Sequence, residues 1–234
     1  MANNETEIIE AYKAFIGNKV FPCIAARSAN AAKHILCMVA DNMDCPKDDH
    51  AILYFLYQFI DNYRKATSNF YSAAIIFRNP QDCSEDEFDG LLWQRLQAIS
   101  DLDAKNYDYD PRVNSDPASV HFSFSLKQEA FFILGLHPAA NRLSRQFKYP
   151  TLAFNPHQEF EKLRANNHYE PMKEIVRKRD LAYSGSINPM LKDFGEASEA
   201  AQYSGRYYST EWRCPFIRTQ KPEDRDQELG HKNE

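Results

Sequence analysis

The sequence predicts a single-domain α+β (mixed α/β) fold, in which a central, mostly antiparallel sheet is flanked by helices. Three runs of β-branched and aromatic residues lie close together at 119–125, 130–136 and 151–154, as expected for strands of one sheet. Segments with apolar residues at a spacing of three and four, which is typical of amphipathic helices, precede and follow these runs. The sequence has no regular alternation of strands and helices and no GxGxxG motif. Both absences disfavour a dinucleotide-binding fold.

The segments before the main sheet are predominantly helical by their periodicity. Asp48 or Asp49 is the expected N-cap of one helix, and Ser84 with Glu87 forms the capping-box pattern that opens another. The Ala-rich segment 25–43 is compatible with a helix and also with a strand. We predict helices over 5–16, 48–63 and 84–100, and a buried strand over 70–77.

The rest of the chain is divided by breaker residues and charge. Two prolines and clustered Asp and Asn mark an exposed loop at 105–118, and a short turn at 127–129 predicts a hairpin. Charged amphipathic helices are expected over 159–166 and 170–181. The domain is expected to end at residue 216, because residues 217–234 are almost entirely polar and are expected to be disordered.

Composition limits the class of protein. The 234 residues carry a formal net charge of −5, so no basic field attracts nucleic acid or an anionic membrane surface. The N-terminal residues lack a signal-peptide pattern, and no uncharged apolar run is long enough to span a bilayer. The five cysteines form no CxxC pair, which disfavours a disulfide framework or a zinc knuckle. We therefore expect a soluble, cytoplasmic protein with reduced thiols.

Two histidines follow predicted strands directly, and each is next to a proline. These are His137 and His157, and Arg142 and Arg145 lie between them at a spacing of three residues. If this segment is helical, the two arginines share one face. The pattern fits a site for an anionic cofactor or substrate, although the histidines would equally cap the strands and the arginines would equally be solvated.

Longer motifs extend through most of the chain. They include FPC at 21–23, AFFILGLHP at 130–138, PTLAFNPHQEFEKLR at 150–164, SEAAQYSGR at 198–206 and WRCPF at 212–216. With these motifs the chain resembles the YqcI/YcgG family, also called GntA-like, over roughly residues 10–216. The resemblance implies a haem b-containing N-oxygenase that hydroxylates a guanidino nitrogen, with L-arginine giving Nω-hydroxy-L-arginine in characterised members.

Haem chemistry narrows the candidates for a metal ligand. A protonated guanidinium is difficult to oxidise because its lone pairs are delocalised, and an axial thiolate favours the O–O cleavage that generates a strong oxidant. Cys23 is therefore the preferred axial ligand, with His137 and Cys214 as alternatives. His137 and His157 are the candidate catalytic side chains, and each also has the chemistry of an axial ligand.

Both the cofactor and the substrate carry charges that need partners. Haem propionates require cations, whereas an arginine substrate requires a carboxylate for its guanidinium and hydrogen-bond donors for its own carboxylate. The arginines are equally compatible with solvated ion pairs. The cofactor-binding candidates are Arg142, Arg145 and Arg206, and the substrate-binding candidates are the acids Glu199 and Asp180 with Asn155, Asn188 and Tyr203.

The expected partners follow from this chemistry. They are a small guanidino substrate, oxygen or peroxide, and a separate electron donor if oxygen is the oxidant, because the sequence has no flavin or NAD(P) signature. No nucleic-acid or membrane partner is expected. Two alternatives remain open at this point: a haem sensor or carrier without turnover, and a haem-free protein that binds a small metabolite.

Overall fold

The computed structural model describes residues 4–188, 190 and 192–219. Within these ranges the chain folds into one five-stranded sheet and six α-helices, which confirms the predicted fold class. The helices are α1 (Glu5–Gly17), α2 (Ile24–Ala31), α3 (Asp49–Lys65), α4 (Glu85–Asp103), α5 (His157–Ala165) and α6 (Tyr169–Ser184). The strands are β1 (Ile35–Asn42), β2 (Ser72–Asn79), β3 (Phe124–Leu126), β4 (Glu129–Leu136) and β5 (Thr151–Pro156).

The sheet has the strand order β1-β2-β5-β4-β3. β1 and β2 are parallel and are connected through α3, whereas the other neighbouring strands are antiparallel. The Ala-rich segment 25–43 contains both a helix and a strand, since α2 ends at Ala31 and β1 begins at Ile35. The sheet is therefore mostly antiparallel, with one parallel pair at its edge.

The hairpin between β3 and β4 is present, but β3 is shorter than the run 119–125 predicts. Its turn places Lys127 and Gln128 at φ values of 50° and 56°, as two-residue hairpin turns require. Beyond the hairpin, the segment around Tyr203 lies along the outer edge of β4, where Gly135 N donates to the carbonyl oxygen of Tyr203. The hydroxyl of Tyr203 also accepts from Phe124 N, so this tyrosine takes the place of a longer β3.

The sheet separates two hydrophobic cores. Successive strand residues point to opposite faces, and in β2 the side chains of Ile75 and Phe77 pack with α3 and α4, whereas Ala74 and Ile76 pack with α1 and α2. We call these the α3/α4 face and the α1/α2 face. The capping box at Ser84 and Glu87 is present at the start of α4, as the sequence predicts.

Helices α5 and α6 lie beside the α1/α2 face. α5 begins at His157, directly after β5, and contacts β4, β5 and α6. α6 contacts the short 3₁₀ turn at 143–145, in the segment where a helix would place Arg142 and Arg145 on one face. The space between these two helices, α2 and the sheet contains the candidate site.

Residues 217–219, which belong to the predicted polar tail, contact α4. Gln97 Nε2 donates to Ile217 O, and Arg218 forms an ion pair of 3.2 Å with the buried Asp103. Residues 220–234 lie outside the described part of the chain. None of the described helices combines the length and the apolar character needed to cross a bilayer.

Candidate functional site

Two adjoining apolar cavities lie between the sheet and the helices α2, α5 and α6. The larger cavity has a volume of about 250 Å³ and the smaller about 200 Å³. Each is slightly below the ~300–1,000 Å³ typical of ligand pockets, but they share part of their walls. The residues common to both are Cys23, Ala25, Phe132, Phe160, Leu163 and Val176.

Cys23 is the candidate sulfur ligand, and it lines both cavities. It is the N-cap residue of α2, and its Sγ accepts a hydrogen bond of 3.4 Å from Ala26 N. The preceding Pro22 keeps Phe21 out of the helical conformation, so the helix starts at Ile24 and leaves the thiol at its N-terminus. Burial raises the pKa of Cys23, and the backbone N–H groups of Ala26 and Ala25 act in the opposite direction.

Glu199 is an acid buried in the wall of the smaller cavity. It lies in a 3₁₀ turn, is 6% exposed, and its Oε2 atom is buried without a hydrogen-bond partner among the described residues. Burial raises the pKa of Glu199 to about 8, although Ser123, Arg164 and Tyr203 act in the opposite direction. A buried carboxyl group with an unpartnered oxygen, on a residue that lines a cavity, is suited to bind a cation.

His157, the first residue of α5, lies next to Glu199 on the side away from the smaller cavity. Its Nδ1 is 3.7 Å from Glu199 Oε1, and its Nε2 is 3.3 Å from Glu161 Oε1. The ring also packs edge-on against Phe194, which lines the smaller cavity, with centroids 4.4 Å apart. Burial lowers the pKa of His157, whereas the nearby Glu161 raises it, so the imidazole favours its neutral form.

Basic residues of α6 and the following segment line the smaller cavity. Lys173 is bound by Glu170 and Asp193, at 2.7 Å and 2.6 Å. In contrast, no hydrogen bond or ion pair within the described part of the chain engages the side chain of Arg177 or Lys192. These two cations are the ones available to a carboxylate. Arg177 opens the RKRD segment at 177–180, so the motif that contains the candidate Asp180 also contains this cation.

The larger cavity is lined by a buried ion pair. Arg142 donates to the carboxylate of Asp180 and to Ser186, so both charges are already neutralised within the protein. The side chains of Asn155 and Asn188 also line this cavity. Asn155 is held by Ser72 Oγ and by the carbonyl of Phe132, and Asn188 Oδ1 accepts from Met190 N.

Arg145 and Tyr203 are joined to each other and to the edge of β4. The Arg145 guanidinium donates to the carbonyl groups of Gly135, Gln202 and Tyr203, and burial lowers its pKa to about 10. The hydroxyl of Tyr203 bonds to the backbone of the hairpin. Arg145 therefore fastens one chain segment to another with these donors, and it also lines the larger cavity.

His137 lies on the opposite side of the sheet from the two cavities. Its ring stacks on Phe88 of α4, with centroids 4.3 Å apart and an interplanar angle of 19°. It is 1% exposed, and burial lowers its pKa to about 4. The strand alternation explains this position, because Leu136 faces the larger cavity and the next residue points the other way.

Arg206 and Cys214 are also remote from the two cavities. Arg206 forms ion pairs with Asp86 and Asp89 of α4, at 3.0 Å and 3.8 Å. Cys214 lines a separate groove of about 850 Å³ formed mainly by residues within 115–118, 197–201 and 208–218, and burial raises its pKa to about 12. The structure thus brings together Cys23, Glu199 and His157, and separates them from His137, Arg206 and Cys214.

A family model matches the chain over residues 12–217. The chain belongs to the YqcI/YcgG family. The family motifs at 21–23, 150–164 and 198–206 contribute Cys23, Phe160 and Glu199, so separate parts of the match meet at the two cavities. No curated protein and no solved structure matches the chain.

In the described portion of the chain, no group of three or more His, Cys, Asp or Glu side chains is arranged to hold a metal ion. These residues therefore provide no site in which several side chains would chelate a metal ion. A macrocycle with one axial ligand would need only a single such side chain at an apolar cavity.

Proposed function

We propose that this protein is a haem-dependent N-oxygenase that hydroxylates a guanidino nitrogen, with L-arginine as the substrate. One observation carries the proposal: a thiol at a helix N-terminus, Cys23, and a buried acid with a free oxygen, Glu199, line the same apolar cavity. The thiol is suited to a metal and the acid to a cation. Membership of the YqcI/YcgG family is consistent with this chemistry.

The residues around Cys23 fit a haem group. The shared walls include Phe132, Phe160, Leu163 and Val176, which offer an apolar surface to a macrocycle. The Ala26 N–H donates to Cys23 Sγ and stabilises negative charge on the sulfur, as does the N-terminus of α2. Arg177 and Lys192 are available to pair with propionates. When bound, the haem supplies the oxidising chemistry that no side chain has, and Cys23 tunes it by electron donation.

Glu199 is the proposed binding group for the substrate guanidinium. A carboxylate accepts two parallel hydrogen bonds from a guanidinium, which fixes the orientation of the reacting nitrogen. Because the pKa of Glu199 is about 8, the free protein holds this group mainly protonated at neutral pH, and a bound cation favours its ionised form. Asp180 is less suited to this role, since Arg142 already neutralises it.

The apolar walls keep water from the reacting centre, which strengthens the pairing of the guanidinium with Glu199. With dioxygen as the oxidant, one oxygen atom enters the substrate and the other leaves as water, which consumes two electrons and two protons. A separate donor provides the electrons, whereas peroxide as the oxidant needs none. The protons must reach a buried site.

The absorption spectrum of haem-supplemented, full-length protein tests this proposal. We expect a Soret band that shifts on addition of L-arginine, and a ferrous–CO band at the long wavelength typical of thiolate ligation. A Soret band indifferent to guanidines would indicate a sensor or carrier, and the absence of haem would indicate a metabolite-binding protein. Mass spectrometry with a reductant and oxygen, or with peroxide, should show L-arginine gaining one oxygen atom.

Two cysteine variants locate the ligand. Cys23→Ser should abolish the long-wavelength ferrous–CO band, because serine does not replace the thiolate as an electron-donating ligand. Cys214→Ser is the matched control and should retain the band, since Cys214 lies in a separate groove. A Cys23→Ser protein with an unchanged spectrum would refute the role of Cys23, and loss of the band in the control would assign the ligand to Cys214.

A further inference from the structure

Three side chains form a row from the smaller cavity to the protein surface. Glu199 lies in the cavity wall, His157 is next to it, and Glu161 lies beyond His157. The side chains of Glu199 and His157 are 7% and 8% exposed, whereas that of Glu161 is 42% exposed. The row therefore connects a buried acid with solvent through a single imidazole ring.

The two buried members of the row have unused hydrogen-bonding atoms. His157 Nδ1 and Glu199 Oε2 lack hydrogen-bond partners among the described residues. A neutral imidazole has one nitrogen that donates and one that accepts. An N–H at Nε2 is closest to Glu161 Oε1, at 3.3 Å, which leaves Nδ1 as the acceptor on the side of the Glu199 carboxyl group, 3.7 Å away. This assignment of the tautomer follows from the two neighbours.

We propose that Glu199, His157 and Glu161 form a proton path between the smaller cavity and solvent. The proton on the Glu199 carboxyl group moves to His157 Nδ1 while the proton on Nε2 moves to the Glu161 carboxylate and then to water. Ring rotation or the reverse transfer restores the first tautomer. The 3.7 Å separation is closed by a side-chain rotation of Glu199 or by one bridging water molecule.

The charged surroundings of the path are largely paired. Glu161 accepts from Arg164, which also faces His157 and Glu199. Asp110 and Arg112 face His157 from the loop before β3 and form an ion pair with each other. The phenol groups facing Glu199 are those of Tyr109 and Tyr203, and burial raises the pKa of both, so neither exchanges protons at neutral pH.

The path deepens the proposed function and rests on it for its purpose. An N-oxygenase that uses dioxygen consumes protons in a cavity with apolar walls, and a guanidinium that binds to Glu199 displaces a proton from it. His157 would serve both events as a proton carrier. The path itself requires neither haem nor substrate, so it is testable in the protein alone.

Infrared difference spectroscopy of the full-length protein tests the path. The carbonyl band of protonated Glu199 is identified by its absence from the spectrum of Glu199→Gln. The pH is then raised rapidly from about two units below the Glu199 pKa to about two units above it, and the decay of this band is followed with time. We expect His157→Gln to slow this decay about tenfold or more. His121→Gln is the matched control, since His121 also packs against Phe194 but is exposed, and it should decay like wild type.

Glu161→Gln provides a second variant that leaves the buried ring in place. Because Glu161 is the half-exposed end of the row, its substitution should slow the decay without disturbing folding. Equal decay rates in wild type, His157→Gln and Glu161→Gln would overturn the path, as would the absence of any Glu199 band. If the variants decay at the wild-type rate and the protein still turns over arginine, only the proton path is refuted. If the variants decay slowly but the protein binds no haem, only the proposed function is refuted.

Discussion

At the scale of single residues, two buried histidines differ in what they contact. His157 is directed at two carboxyl groups, whereas His137 stacks on the ring of Phe88 and has no charged group as an ion-pair partner in the described structure. Both follow a strand and adjoin a proline, so the sequence presents them as equivalent. The difference between an imidazole beside two carboxyl groups and one that packs on an aromatic ring is set by the neighbours.

His137→Ala should destabilise the protein without changing the spectrum of the proposed haem. Removal of a fully buried ring that packs on Phe88 leaves a cavity, and we expect the free energy of unfolding to fall by about 2–4 kcal/mol. Guanidinium chloride unfolding measures this loss. His121→Ala, at an exposed position, should change stability by less than about 0.5 kcal/mol. Loss of haem from a His137→Ala protein of full stability would instead identify His137 as the axial ligand.

At the scale of elements, β4 and α4 pack at a distance that only a glycine permits. A Cβ atom at Gly135 would lie 2.7 Å from Phe88 Cε1 and 3.0 Å from Leu92 Cδ1. Gly90, in α4 itself, has nothing within 4 Å of the corresponding position. The close contact of strand and helix also holds the ring of Phe88 against His137.

Gly135→Ala and Gly90→Ala should therefore have opposite effects on stability. We expect Gly135→Ala to lower the free energy of unfolding by about 1–3 kcal/mol, because the added methyl group overpacks the interface of β4 and α4. Gly90→Ala should raise it by about 0.5–1 kcal/mol, since alanine has the higher helix propensity. Urea unfolding of both variants is the measurement, and equal effects would contradict the described contact.

At the scale of the whole molecule, the buried Glu199 makes stability depend on pH. A carboxyl group with a raised pKa in the folded state binds its proton more tightly there than in the unfolded chain. Its contribution to stability is thus fully present below its ordinary pKa of 4.5 and is lost as pH rises towards about 8. The other titrating groups remain the same in a variant that changes Glu199 alone.

Glu199→Gln should consequently gain stability relative to wild type as the pH rises. We expect little difference near pH 4.5, a difference that grows up to pH 8, and a plateau of up to about 5 kcal/mol above it. Chemical unfolding of both proteins across this pH range provides the comparison. A difference that is constant with pH would show that Glu199 is ionised in the folded protein.

The sequence determined the elements whose signals are local. Periodic apolar residues fixed α3 and α4, the capping box located the start of α4, and the β3–β4 hairpin followed from its two apolar runs and short turn. The motifs at 21–23 and 198–206 also contain Cys23 and Glu199. These features depend on residues close together in the chain, so their pattern is visible in the sequence itself.

Only the tertiary structure decided which candidates share a site. Cys23 and Glu199 come from opposite ends of the chain and meet because α2, α5 and α6 pack on one face of the sheet. Strand alternation directs His137 to the other face, and Arg142 is neutralised by Asp180 from α6. A side chain's role depends on its burial and on the charges packed against it, and these are set by elements that are distant in sequence.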